Sequence, residues 1–446
     1  MKPSGSWSVA SVLPGMILAF ATSVPAAEPP GADRCDSPQP PGAYTGAGSC
    51  ASPQCHGSPR PRGENRIPQN EHTTWVINDE HAKAFEHLLS ERSKTIARNL
   101  HLANPPEKEA RCLDCHSLNV PAERRGRTFE PVDGVSCEAC HGPAERWLGS
   151  HTTQGWTHTR SLNCGMRDTK DPMVRAETCS ACHVGGEGRT VTHELLAAGH
   201  PELVFEMQWA TNRMPPHWRE PARRGPYFAT YLWAVGEATH LRDQMTRAAR
   251  TAPGPWPELA EYDCGACHHE LMQKSWRQTR GYDARRPGDP VVDLTRWRVL
   301  APLARKVAPE IATEIEAATR DIQAARVVTS APAQRLAAAV STLATRLAAP
   351  STDYGRETTL FLLAALAGDA GPAREFGYRG AGQIAMSIDA LARPLTEAAG
   401  GGDKDLDAAV EKLYAALGRP DTYDPERFAT ALAALSTKLP KAGASR

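Results

Sequence analysis

Apolar residues recur every three or four positions along the last third of the chain. Leu300, Leu303, Val307, Ile311 and Ile315 form one series, and Leu336, Val340, Leu343 and Leu347 a second. Leu406, Val410, Leu413 and Leu417 form a third, and Phe428, Leu432, Leu435 and Leu439 a fourth. This spacing puts each series on one face of a helix. Asp424-Pro425-Glu426 reads as a helix start and Gly418 as a stop. The pattern predicts four to six amphipathic helices bundled over residues 290–440, within an Ala/Leu-rich segment 290–446 that holds neither His nor Cys. The bundle either covers the rest of the molecule structurally or offers a docking surface to a partner.

A different apolar stretch stands at the N-terminus. Lys2 precedes an uncharged run from Trp7 to Ala27 that ends in small residues. It reads as a signal peptide over residues 1–27, cleaved near Ala26 or Ala27; the run is short and holds Pro14, which argues against an anchoring helix. No other segment is apolar for long enough to span a bilayer. The expectation is an exported, periplasmic protein without a transmembrane span, in an oxidising compartment. Residues 28–48, rich in Pro, Gly and Ala, read as a flexible entry segment.

The 446 residues carry 51 Lys plus Arg against 51 Asp plus Glu, and this zero balance excludes a dedicated nucleic-acid binder. With 41% hydrophobic residues and a mean hydropathy of −0.46, the composition is that of a soluble globular chain long enough for two or three domains. The 12 Cys and 16 His change the picture, because their spacing is not that of a disulfide framework.

Ten of the cysteines occur in pairs that end in Cys-His. Four are C-x-x-C-H: Cys112, Cys115 and His116; Cys137, Cys140 and His141; Cys179, Cys182 and His183; Cys264, Cys267 and His268. The fifth, Cys50, Cys55 and His56, has a longer loop but keeps the Cys-His dipeptide. Two thiols about a helical turn apart can add to the two vinyl groups of one haem, and the adjacent His then reaches the iron. Zinc ribbons need two pairs per ion and leave the His unexplained, and a thioredoxin-like motif needs one pair in an α/β setting. The reading is five c-type haems over residues 49–289. Cys35 and Cys164 are left over, either paired with each other or as buried or free thiols.

An iron held by one His is complete for electron transfer only when a second strong ligand fills its sixth position. Eleven histidines remain after the five motif ones: His72, His81, His87, His101, His151, His158, His193, His200, His217, His240 and His269. His81 stands in NDEHAKAFEHLL, read as a helix capped by Asn78 or Asp79. His151 follows His141 by ten residues. His193 and His200 are seven apart, read as the same side of a helix that ends near Gly199, so they could serve two adjacent haems. His217 is placed by Pro215 and Pro216. These five are the candidate distal ligands. The motifs at Cys112 and Cys137 lie only 25 residues apart, which favours adjacent haems.

The C-x-x-C-H units, the GVSCEACHGP segment, the stretch around Trp75 and His81 and the downstream histidines resemble the multihaem cytochromes c of the cytochrome c-554 type, related to the hydroxylamine oxidoreductase and pentahaem nitrite reductase lineage. The resemblance covers roughly residues 44–285. It implies proximal histidines from the motifs, distal ones from elsewhere in the chain, and haems packed in stacked pairs. The fifth, long motif and the C-terminal extension depart from the tetrahaem pattern.

The fold class expected is mainly α: short helices and loops packed on haems, then a haem-free helical bundle. The function expected is single-electron transfer between redox partner proteins, with a quinol-linked or soluble donor. The alternative is a haem enzyme with one open coordination site acting on a small nitrogen oxyspecies such as hydroxylamine, nitrite or nitric oxide. Every Cys pair is followed by His, so the Lys-ligated catalytic haem of the nitrite reductase group has no counterpart, and the Cys50 site is the one whose geometry would differ.

Overall fold

The computed structural model describes residues 35–63, 67–186, 188–219, 224–250, 258–268, 291–324, 330–350, 352–398 and 403–440. The expected signal peptide and His269 lie outside these. The protein is mainly helical, and among the described residues strand pairing is confined to isolated bridges such as Tyr44 with Arg125.

Up to residue 219 the helices are short: α1 (Glu71–Asn78), α2 (Glu91–Asn99), α3 (Ala110–His116), α4 (Cys137–His141), α5 (His158–Asn163), α6 (Pro172–Ser180), α7 (His193–Ala197) and α8 (Met207–Arg213). Side-chain caps set where several begin. The Asp171 carboxylate accepts from the N–H groups of Met173 and Val174 ahead of α6, with Pro172 at the first helical position, and Thr192 accepts from Leu195 ahead of α7.

Two local expectations are corrected here. His81 is not on a helix begun by Asn78 or Asp79: α1 ends at Asn78, and residues 79–85 run as turns. The Asp79 carboxylate accepts from the His81 N–H at 3.0 Å, an Asx turn that competes with helix continuation. His200 also lies off its helix, because Gly199 takes a left-handed φ of 116° that terminates α7. His193 and His200 therefore point to different places.

From residue 228 the helices lengthen: α9 (Phe228–Arg250), α10 (Thr295–Val307), α11 (Pro309–Ala324), α12 (Ser330–Ala348), α13 (Arg356–Ala367), α14 (Gly371–Glu375), α15 (Gly377–Ala398), α16 (Lys404–Leu417) and α17 (Pro425–Ser436). They share one core, in which Trp233, Leu241, Met245, Leu300, Leu343 and Phe428 are fully buried. Helix α9 belongs to this core and packs along α12, although in sequence it lies between the fourth and fifth Cys-His motifs. Gly380 lets α14 and α15 close on each other, since a Cβ there would sit 2.1 Å from the Pro372 carbonyl oxygen. The motif half holds only small apolar clusters, such as Ile96, Leu195 and Ala198.

Cys35 and Cys164 form a disulfide, with Cα atoms 5.4 Å apart. Arg160 pairs with Asp36 at 2.7 Å and the Asn163 side chain donates to the Cys35 carbonyl at 2.8 Å. From Cys35 onward, the entry segment expected to be flexible is thus held down.

Leu343 is fully buried between α12 and α9, so Leu343→Ala should destabilise the protein by about 2–5 kcal/mol. Urea unfolding followed by far-UV circular dichroism checks this: the midpoint should fall with the slope unchanged.

Candidate functional site

The motifs sit where the chain turns. Helices α3 and α4 each end on a motif histidine, the C-x-x-C-H at Cys179 begins in α6 and runs into a wider π-helical turn over Ala181–Gly185, and the one at Cys264 forms a short 3-10 turn at Cys264–Ala266. Glu138, inside the motif at Cys137, is 1% exposed. Its carboxylate accepts from the backbone N–H groups of Thr45 (2.8 Å), Gly46 (2.7 Å) and Ala144 (2.7 Å). One carboxylate therefore fastens the strand of chain leading to Cys50 onto the motif at Cys137. Gly134, with φ 67°, brings the chain against His81: the Val135 N–H donates to the His81 carbonyl at 2.9 Å, and a Cβ on Gly134 would lie 2.7 Å from that oxygen.

The motif histidines do not stand alone. His56 and His151 have ring centroids 6.2 Å apart, His81 and His183 5.9 Å, His116 and His200 6.4 Å, and His193 and His268 6.1 Å. Buried His141 has His217 as its strongest electrostatic neighbour. Four candidate distal histidines thus stand opposite a motif histidine. The thiols pair too: Cys50 faces Cys137, and Cys115 faces Cys182, while Cys140 adjoins Cys179. The motif at Cys137 meets the one at Cys50 through these thiols, rather than the motif 25 residues before it that sequence proximity favoured.

The family model for cytochrome c554 and c-prime matches residues 50–142, which contain the first three Cys-His motifs. Cytochrome c-554 of Nitrosomonas europaea is 30% identical over 121 residues, covering 24% of this chain and 50% of the relative. Residues 50–142 are thus similar to the c-554 type of c-type cytochrome. The chain spans half the length of that curated relative, and no solved structure matches it significantly.

Six of the motif and candidate distal imidazoles are oriented through Nδ1. His56 Nδ1 lies 2.9 Å from the Glu71 carboxylate and His81 Nδ1 2.9 Å from Asp79. His116 donates to the Ala84 carbonyl (2.9 Å), His151 to Trp147 (3.0 Å), His200 to Pro201 (2.7 Å) and His217 to Pro215 (3.3 Å). An acceptor at Nδ1 fixes the proton there and leaves Nε2 with a free lone pair, the state of an imidazole that binds a metal. The carboxylate bonds raise the basicity of His56 and His81, whereas burial pushes His141 and His183 down to about 4, so both are neutral at ordinary pH.

Three of the remaining histidines are engaged otherwise. His158 has Nε2 on Asp168 and Nδ1 on Lys170, both at 3.1 Å; His72 packs on Trp75; His240 is buried against Phe205. Among the described residues no three His, Cys, Asp or Glu side chains converge on a point that could hold a bare ion. Imidazoles in twos suit an iron whose other four positions are filled by a porphyrin. Sequence reading missed the orienting carboxylates Glu71, Asp79 and Glu138; only their places beside or within the motifs signalled them.

Removing the Glu138 carboxylate strands three backbone donors, so Glu138→Ala should cost at least about 3 kcal/mol. Urea unfolding checks this, and limited proteolysis should cut first between residues 43 and 50.

Proposed function

We propose that the protein is an exported pentahaem cytochrome c that passes single electrons between a donor and an acceptor protein, with both axial positions of every iron filled by histidine. The observation that carries this is the spacing of the imidazole pairs. Two nitrogens each about 2.0 Å from one iron put the ring centroids about 6.3 Å apart, and four pairs fall between 5.9 and 6.4 Å. His217 opposite His141 completes the fifth pair.

In this reading Cys50 with Cys55, Cys112 with Cys115, Cys137 with Cys140, Cys179 with Cys182, and Cys264 with Cys267 hold the haems through thioethers. His56, His116, His141, His183 and His268 are the proximal ligands, and His151, His200, His217, His81 and His193 the respective distal ones. Bound haem supplies the Fe(III)/Fe(II) couple. The protein's part is to hold each imidazole pair rigid, exclude a substrate from the sixth position and set the order of the haems. The facing thiols support an order in which the site at Cys50 neighbours that at Cys137, then that at Cys179, then that at Cys112. Arg111, next to Cys112, reaches Glu194 at 4.0 Å beside His193, which brings the fifth site against the second.

The open-site enzyme reading drew its support from the long loop at Cys50. His151 stacks opposite His56 at 6.2 Å with the rings 7° from parallel, which favours a filled position there as well.

A pyridine haemochrome assay should return five haems per chain, and four would remove the site at Cys50 and Cys55. Electron paramagnetic resonance of the oxidised protein should show low-spin haem alone; a high-spin signal that shifts on adding nitrite or hydroxylamine would replace the carrier reading with the enzyme one. Asp79→Asn weakens the charge on His81 and should raise the potential of that haem by tens of millivolts, about 59 mV for each tenfold loss of preference for Fe(III). Spectroelectrochemical titration measures the shift.

A further inference from the structure

Behind the motif at Cys179, where the motif half meets the bundle, two carboxylates are buried near one guanidinium. Glu206 and Glu237 are both 0% exposed. Glu237, on α9, is contacted by Arg296 of α10 at 3.2 Å and by the Gln383 amide of α15 at 2.7 Å. Glu206, ahead of α8, accepts from the backbone N–H groups of Gln208 (2.8 Å) and Trp209 (2.6 Å). His240, one turn along α9 from Glu237, is kept neutral by burial and by Arg296.

Several other charged groups on the elements packed around α9 are matched elsewhere. Arg242 pairs with Glu177 of α6 and with Asp243, Arg247 with Glu261, and Arg335 of α12 with Asp321. Arg379 of α15 serves Asp293 and Glu202, and Asp293 is held below the usual carboxylate range although burial opposes it. Glu206 and Glu237 shift the opposite way, raised by burial, with the negative charge of Glu237 adding to the rise at Glu206. Arg296 bonds Glu237 and the carbonyl of Phe205, the residue before Glu206, so two buried carboxylates have one guanidinium near them; they are one positive charge short, and a proton is the smallest group that makes up the difference.

This cluster is wired to a motif histidine. Arg296 donates to the Phe205 carbonyl at 2.8 Å, and the Phe205 ring stacks on the His183 imidazole with centroids 4.5 Å apart and planes 15° from parallel. A cavity of about 80 Å³ lies alongside, lined by His183, Phe205, Arg296 and Gln383 and reaching half-exposed Glu202 and Thr190. It has room for several waters that could carry a proton in from the surface.

We propose that Glu206 and Glu237 form a shared proton site that is filled when the haem at His183 is reduced. The inference rests on the haem assignment above and adds to it a second function, the uptake of one proton with one electron. In the step, the donor protein supplies one electron that takes Fe(III) to Fe(II), and water supplies one proton that forms an O–H bond on the carboxylate pair. Net charge in the low-dielectric interior is unchanged, whereas an electron alone would add a buried negative charge beside an existing one. Oxidation releases both.

The test is redox titration of the intact holoprotein between about pH 6 and 9, the range into which burial lifts the two carboxyls. One of the resolved potentials should fall as pH rises, approaching 59 mV per pH unit, the one-electron equivalent of a tenfold change in equilibrium constant. In Glu237→Gln that slope should flatten while the other potentials keep theirs. A slope retained in both Glu237→Gln and Glu206→Gln assigns the proton to haem propionates and overturns the proposal. Should these variants fail to fold, the reduced-minus-oxidised infrared spectrum of the unaltered protein decides. A protonated carboxylic C=O band must appear on reduction, and its absence overturns the proposal. A haem count short of five would instead fault the pentahaem assignment, so the two failures are separable.

Discussion

The motif half of this protein is organised around one distance. Imidazoles held in twos about 6 Å apart come from remote parts of the chain, and each such pair ties a motif to a segment between 75 and 102 residues away: His151 to His56, His200 to His116, His183 to His81 and His268 to His193 are 95, 84, 102 and 75 residues apart. Short helices and capped turns follow from this demand. A long helix could not deliver a histidine, reverse and deliver a thiol pair within a few dozen residues. The small apolar clusters of this half reflect the same economy, since side chains that face a cofactor do not face one another.

Polar contacts do the orienting. Glu71 and Asp79 fix two imidazoles through their Nδ1 atoms, and backbone carbonyls fix four more. Glu138 binds two stretches of chain by satisfying three N–H groups at once. These bonds run between side chains and local backbone, so the rigidity of each site is set within a few residues of it. That is why a loop-rich region can hold several imidazoles to within half an ångström of a common spacing.

What the sequence made legible divides along physical lines. Covalent chemistry imposes Cys-x-x-Cys-His spacing directly, so those motifs stand out in the sequence without any knowledge of the fold. Helices with one buried face announced themselves through periodicity. Helix α13 did not, because Leu360, Leu362, Leu363 and Leu366 bury several faces of it at once and erase the pattern. The place of α9 in the bundle was hidden for another reason: its partners are distant in sequence, and position between two motifs suggested membership of the motif half. Which imidazole meets which is likewise a tertiary fact, and His81 shows the local limit, where an Asx turn prevailed over a helix that the pattern allowed.

The shared core of α9 and α12 also has a consequence in time. Leu241 and Leu343 pack in one core from positions about a hundred residues apart, so α9 has no finished surface to rest on until the C-terminal third has been made. During that interval the thiols on either side of it, at Cys179 and Cys182 and at Cys264 and Cys267, belong to a chain that has not yet closed. The two thiol pairs that flank α9 in sequence are therefore made before the core that α9 completes can close.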